Sequence, residues 1–143
     1  MKRRSLSASR LLTMPKIRVQ YHLQKTDDGF NAWSVHRLID LTQGLPVRMI
    51  DPRSIDDFYG NHWYFHNPDK HPSPQSIVEH IQLIQECNLT HPIILGSDGR
   101  VMDGMHRICK AVLENAARIA AVQFAVDPEP DYVGVQPDDL PYD

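Results

Sequence analysis

Between residues 16 and 24 apolar and polar side chains alternate, with Ile17, Val19, Tyr21 and Leu23 interleaving with Lys16, Arg18, Gln20 and Gln24. A period of two predicts a half-buried strand, because successive strand side chains point to opposite faces. Asp27-Asp28-Gly29 reads as a turn. From Trp33 to Thr42 the spacing lengthens. Trp33, Val35, Leu38, Ile39 and Leu41 fall near helical positions, with Asn31 as the upstream cap and Gln43-Gly44 as the stop. Pro46 to Ile50 reads as a second short strand, closed by Asp51-Pro52.

Residues 56–74 lose all period and become aromatic, His-rich and Pro-rich: Phe58, Tyr59, His62, Trp63, Tyr64, Phe65, His66 and His71. So long a connection inside a small domain is usually functional or mobile. Ser73-Pro74 restores order as a capping hydroxyl with proline in the first turn. The helix it opens is predicted to run to about Asn88, with Ile77, Ile81, Leu83 and Ile84 as its apolar face. Pro92 to Leu95 reads as a strand, Gly96-Ser97-Asp98-Gly99 as a hairpin turn and Arg100 to Met102 as the return strand. After Asp103-Gly104 a helix is expected from about Met105 to Asn115, with Ile108, Ala111 and Val112 inward, and then a last strand over Ile119–Val126. The tail beyond alternates proline with acids and offers little to bury. These elements predict one α/β (α+β) domain over residues 15–126, a small mixed sheet with packed helices.

Charge divides the chain into three. Residues 1–14, 15–126 and 127–143 carry +4, −1 and −6, giving the net −3. Duplex binding draws most of its affinity from neutralised phosphates, so a chain basic only in its first fourteen residues is not built as a strong DNA binder. Those residues lack the apolar core of a secretory signal and read as a disordered basic leader, with Met14 as an alternative start. The chain has no run of eighteen apolar residues, so no membrane span is expected. Cys87 and Cys109, inside helical segments with no CxxC spacing, read as buried thiols of a reducing, cytoplasmic setting.

The junction at Asp103-Gly104-Met105-His106-Arg107 carries the chemistry. The first N–H groups of a helix have no intrahelical acceptor, and the positive end of the helix favours an anion. A glycine there lets that anion approach the backbone. Arg107 can clasp a phosphate in bidentate fashion, and Lys110, one turn beyond His106, adds charge.

The stretch HPIILGSDGRVMDGMHRICKAVLENAARIAAVQF is similar to the core of the ParB/sulfiredoxin superfamily, in which a helix and a "P-I-x-V" strand precede a hairpin and a "D/G-G-x-H/R-R" box. Gly104, His106, Arg107 and Ala111 match the box. The resemblance is closest over 73–126, looser over 46–72, and absent from 1–45 and the tail. The stretch also resembles small bacterial ParB-like proteins. Sulfiredoxins require a cysteine where this chain has Met105, and a thioether cannot act as their nucleophile, so sulfinic acid reduction is not expected. The partition proteins' second phosphate motif has no counterpart, and the seventeen residues after Val126 leave no room in this chain for a complete DNA clamp.

Free serine kinases of the superfamily carry "D-G-H-H-R", the nearest form. That resemblance implies a nucleotide (phosphate)-binding domain for ATP, ADP or CTP with Mg²⁺, as a small NTPase or phosphotransferase. Asp103 and His106 would be catalytic, and Gly104, Met105, His106, Arg107 and Lys110 would hold the nucleotide. Asp103 would bind the metal, since phosphoryl transfer needs at least one carboxylate for Mg²⁺. The kinases' activating acid has no match, with Asp56 or Asp57 as stand-ins.

Three other readings stand beside this one. In a non-enzymatic interaction module with a protein partner, Asp103 is a cap and Arg107 a structural ion pair. A DNA-associated accessory protein would work through the basic leader. His62, His66, His71, His80 and His91 lack any defined zinc spacing. Trp63, Tyr64 and Phe65 read as a plug over the sheet, or as a lid that stacks a base.

Overall fold

The computed structural model describes residues 19–67 and 69–142. The basic leader and the start of the first predicted strand lie outside them. The first alternation continues into strand β1, Tyr21–Thr26, which turns at Asp27-Asp28 and returns as β2, Gly29–Ser34. Helix α1 then spans Val35–Leu41. Asn31 and Trp33 therefore belong to a strand, and the cap is Ser34, whose hydroxyl accepts from the Arg37 amide. The reason is burial. Ala32 and Trp33 are both buried on β2, and a strand covered on both faces loses the alternation that would reveal it.

The second short strand, β3, spans Arg48–Ile50. Single turns at Pro52–Ser54 and Asp56–Tyr59 follow. Helix α2 spans Pro74–Glu86, with Ser73 accepting from the Ser76 amide as its cap. Of its expected apolar face only Ile84 is buried, while Ile77, Ile81 and Leu83 stay exposed. Strands β4, Ile93–Leu95, and β5, Val101–Asp103, form the hairpin, closed by Gly99 at φ +86°. Helix α3 spans Met105–Leu113. It ends at Asn115, which takes the left-handed conformation (φ 56°) and lets Ala116 donate to the Ala111 carbonyl. Strand β6 spans Ile119–Gln123.

The tail corrects the expectation that it has little to bury. Tyr132–Val135 forms β7 and pairs antiparallel with β2. Trp33 donates its indole N–H to the Pro128 carbonyl, Asp131 accepts from the Ser34 amide and pairs with Arg37, and Leu140 is buried. Asp131, one of the tail's acids, is a fastener. Ordered structure thus runs past residue 126.

Among the described residues the protein is α+β, with three α-helices, a three-stranded sheet (β1-β2-β7) and a four-stranded sheet (β3-β6-β4-β5). In the larger sheet β4 and β6 run parallel and the other pairings are antiparallel, so it is mixed. Its central strands are mostly apolar because both faces are covered, whereas the edge strand β3 is largely exposed. Ile93, Leu95, Val101, Ile119 and Ala121 meet Met105, Ile108 and Ala111 of α3, whereas Ile94, Met102, Val122 and Phe124 meet Trp33 and Leu38. Each fully buried aliphatic side chain contributes roughly 1.5–3 kcal/mol, so these two layers fix where the β5–α3 junction sits. No described helix is long and apolar enough to cross a membrane.

Candidate functional site

Gly104 connects β5 to α3 at φ +114°. A Cβ there would lie 2.6 Å from Ile93 Cγ2 and 2.9 Å from an Arg107 nitrogen. The glycine is therefore demanded twice, by backbone conformation and by the side chains pressed against it. The space it leaves on that side is already filled by protein. As the cap residue, Gly104 has no side chain with which to cap the first turn of α3.

The two cations expected to hold phosphate are committed elsewhere. Arg107 Nη2 donates to Asp103 Oδ2 at 3.1 Å and to the Pro92 carbonyl at 3.2 Å, with both side chains about four-fifths buried. Its Nε is buried without a hydrogen-bond partner among the described residues. Lys110 Nζ donates to the Gln85 and Cys87 carbonyls at the end of α2. Both side chains brace the turn from behind. Neither reaches the cleft in front of it.

That cleft has a volume of about 670 Å³ and is lined by Asp103, Gly104, Met105 and His106 at the junction, by Gln20–Leu23 of the β1 side, and by His62, Trp63, Phe65 and His66. The volume falls in the range of small-molecule sites, roughly 300–1,000 Å³. The structure thus brings four of the five box residues to one opening and turns Arg107 away. It also delivers the aromatic segment to the same opening. Trp63 packs against the α3 side of the core, while Phe65 remains exposed.

His106 faces the cleft from the opening turn of α3. His80 Nδ1, from α2, lies 2.8 Å from His106 Nε2. Trp63 stacks over both rings, at 3.8 Å and 10° on His80 and 5.0 Å and 19° on His106. Tyr64 meets His80 edge-on and shares a 2.7 Å hydrogen bond with Ser76. Two turns of α2, the opening of α3 and the aromatic segment are joined through these rings.

Asp57, a stand-in for the kinases' acid, also lines the cleft, but Arg100 Nε and the Val101 amide occupy its two oxygens at 2.7 and 2.8 Å. It ties the turn Asp56–Tyr59 to the edge strand β5. Asp56 is exposed and outside the cleft. His22 was not singled out by the sequence, because one histidine at a polar position of an alternating strand carries no signal. Burial, reinforced by His62 and Arg100, pushes its imidazole down to about 4. Burial likewise lowers His62, His66 and His80. The cleft is thus walled by imidazoles held towards neutrality.

His71 and His91 are exposed. Among the described residues no group of three or more His, Cys, Asp or Glu side chains is placed to hold a metal ion. Cys87 and Cys109 are free and half-buried, and burial pushes both thiols up. Arg100, which the sequence reading left aside, is the most exposed cation at the cleft. Searches of protein-family models, of curated proteins and of solved structures find no match to this chain.

Proposed function

We propose that the cleft binds a phosphate-bearing small molecule, in the first instance a nucleotide (ATP, ADP or CTP). Its phosphates would lie at the opening turn of α3 and its base against Trp63, Phe65 and His66. The observation that carries this reading is the meeting, in one 670 Å³ opening, of a helix start entered through a glycine with an aromatic wall. The positive end of a helix selects an anion, and flat side chains select a ring. Likeness to the ParB/sulfiredoxin box supports the same ligand. The phosphate holders are then Gly104, Met105 and His106 through their backbone, with Arg100 at the rim. Arg107 and Lys110 act by holding that turn in shape.

Magnesium fits only in part. The ion is usually bound through one or two carboxylates plus substrate phosphates and waters, and Asp103 already gives Oδ2 to Arg107. A nucleotide would bring the metal with its own phosphates, and magnesium would neutralise their charge. Turnover, as a small NTPase or phosphotransferase, would use His106 to take a proton at the cleft. Free thiols support a reducing, cytoplasmic setting.

Calorimetry with ATP, ADP and CTP, with and without magnesium, tests the reading, alongside backbone amide shifts of Gly104–Arg107. Binding with shifts confined to that turn and the aromatic wall is expected. Silence at millimolar nucleotide overturns the proposal.

A second reading, a non-enzymatic interaction module, is favoured by the Asp103–Arg107 ion pair and the uncovered apolar side of α2. It predicts an unchanged fold, no nucleotide binding, and a protein partner whose capture is lost in Ile77→Asp. An accessory role on DNA through the leader would show as a salt-sensitive gel shift abolished by deleting residues 2–10.

A further inference from the structure

We propose that His80 and His106 form a one-proton dyad for the cleft, so that an anion settling at the opening turn of α3 draws one proton from solvent onto the pair. The inference rests on the cleft reading above and adds its regulation. His80 is the positioning residue, since it belongs to α2 and is not among the residues that line the cleft.

The geometry sets the count. A 2.8 Å contact between two ring nitrogens needs one donor and one acceptor. The neutral pair satisfies this, with one N–H between the rings. The acceptor ring already holds its proton on its outer nitrogen, so one added proton goes to the outer nitrogen of the donor ring, which leaves the bond in place and strengthens it because the donor ring then carries charge. A second added proton leaves two donors face to face, two like charges and no bond. The pair therefore accepts one proton readily and refuses another, and the two rings titrate as a unit.

The surroundings place this proton under the control of the ligand. His106 sits in the first turn of α3, where the positive helix end opposes a cation until an anion arrives. Trp63 presents its ring face to both imidazoles, at a distance where a cation on either is attracted. Glu79, beside His80 on α2, favours the charge, whereas His62 in the cleft wall is a like neighbour whose own charged form burial disfavours. Tyr64, edge-on to His80, keeps its hydroxyl on Ser76. Asp57 and Asp103, which line the cleft, are paired with Arg100 and Arg107.

Sulfate is the probe, since it does not itself titrate near neutrality. Its binding to the full chain is measured by calorimetry in two buffers of different ionisation enthalpy, for wild type, His80→Gln and His80→Phe. Wild type is expected to take up protons on binding, and its affinity to weaken by up to about tenfold per pH unit across the range where the dyad gains its charge. Glutamine keeps a hydrogen-bonding partner that cannot titrate and phenylalanine keeps the stack, so in both the proton uptake and the slope should largely vanish. Equal uptake in all three proteins, or none in wild type that binds sulfate, overturns the dyad and leaves the cleft reading intact. Failure of wild type to bind sulfate or inorganic phosphate at all overturns the cleft reading, and the dyad's link to it. Ring nitrogen spectra of wild type decide the matter should the variants not fold. His80 and His106 signals moving together on sulfate addition support the dyad, and independent movement removes it.

Discussion

Behind the opening turn of α3, Arg107 and Lys110 spend their charges on a carboxylate and three carbonyls. In front of it, His106 lies against His80 under Trp63 and faces the cleft. The rear side is a brace. Its donors are bonded to fixed acceptors on the side of the turn away from the cleft. The front side is built of groups that change charge within a few pH units and can trade partners. A sequence box read as one phosphate site is thus two devices sharing one glycine.

Replacing that glycine should break both sides at once, and with the largest effect. Gly104→Ala forces a left-handed backbone on a residue with a Cβ, at roughly 1–2 kcal/mol. It also drives the Cβ into Ile93, where overpacking adds about 1–3 kcal/mol. A loss on the order of 3 kcal/mol in urea unfolding is expected. A variant as stable as wild type would mean the turn is not as tight as Ile93 makes it.

Acid separates the two sides. The His22 imidazole ordinarily titrates near 6.5, and in the folded protein at about 4, so between those values the unfolded chain binds the extra proton. Stability is then full above about pH 6.5, falls as pH drops towards 4, and levels off below. One such group contributes up to about 3 kcal/mol. His62, His66 and His80, lowered by burial, act with the same sign. Melting temperatures across pH 4–8 should follow this slope, and His22→Phe should flatten it. A flat wild-type profile contradicts the neutral, half-buried cleft wall.

The same contrast explains what could be read from the chain. The β4–β5 hairpin, the glycine junction and α3 were legible because turn residues, capping and helical spacing act over a few positions. The cover on the other face of the sheet was not. Trp33 looked helical because β2 is buried on both faces, and its neighbour in the sheet, β7, comes from about a hundred residues later. The acids of the tail carried no mark that Asp131 would bond the Ser34 amide. In the site, the glycine and His106 were visible in the box. The partner of His106 was not, because His80 lies twenty-six positions away on a helix whose apolar pattern drew attention to Ile77 and Ile81. Nor does a sequence say which way an arginine turns. Arg107 stands where a phosphate clasp would stand, and only the position of Asp103 and the Pro92 carbonyl decides that it faces backwards.

Arg107→Met tests that orientation next. Methionine keeps much of the apolar stem and leaves Asp103 without its partner, part-buried. Breaking a fully buried pair costs roughly 3–5 kcal/mol, and exposed pairs about 0–1 kcal/mol, so a loss of about 2 kcal/mol fits an intermediate site. Nucleotide affinity should fall less than in His106→Ala. A variant that keeps full stability and loses binding would put the guanidinium in the cleft after all.

The smallest effect belongs to Lys110, and its interest lies in direction. Its ammonium bonds the Gln85 and Cys87 carbonyls, which end α2 and have no further turn to donate to them. A cation there also meets the negative end of that helix. Lys110→Met retains the packing of the stem and gives up both contributions, which for a partly solvated group amount to about 1 kcal/mol. The loss should appear as a lower urea midpoint and faster amide exchange at the end of α2, with the nucleotide dissociation constant unchanged. Were the ammonium instead reaching round to a phosphate, stability would hold and affinity would drop. Because His80 is carried on α2, loosening the end of that helix also carries a prediction for the front side. Proton uptake on sulfate binding should survive in Lys110→Met, since the two-ring contact is made two turns upstream of the carbonyls that Lys110 holds.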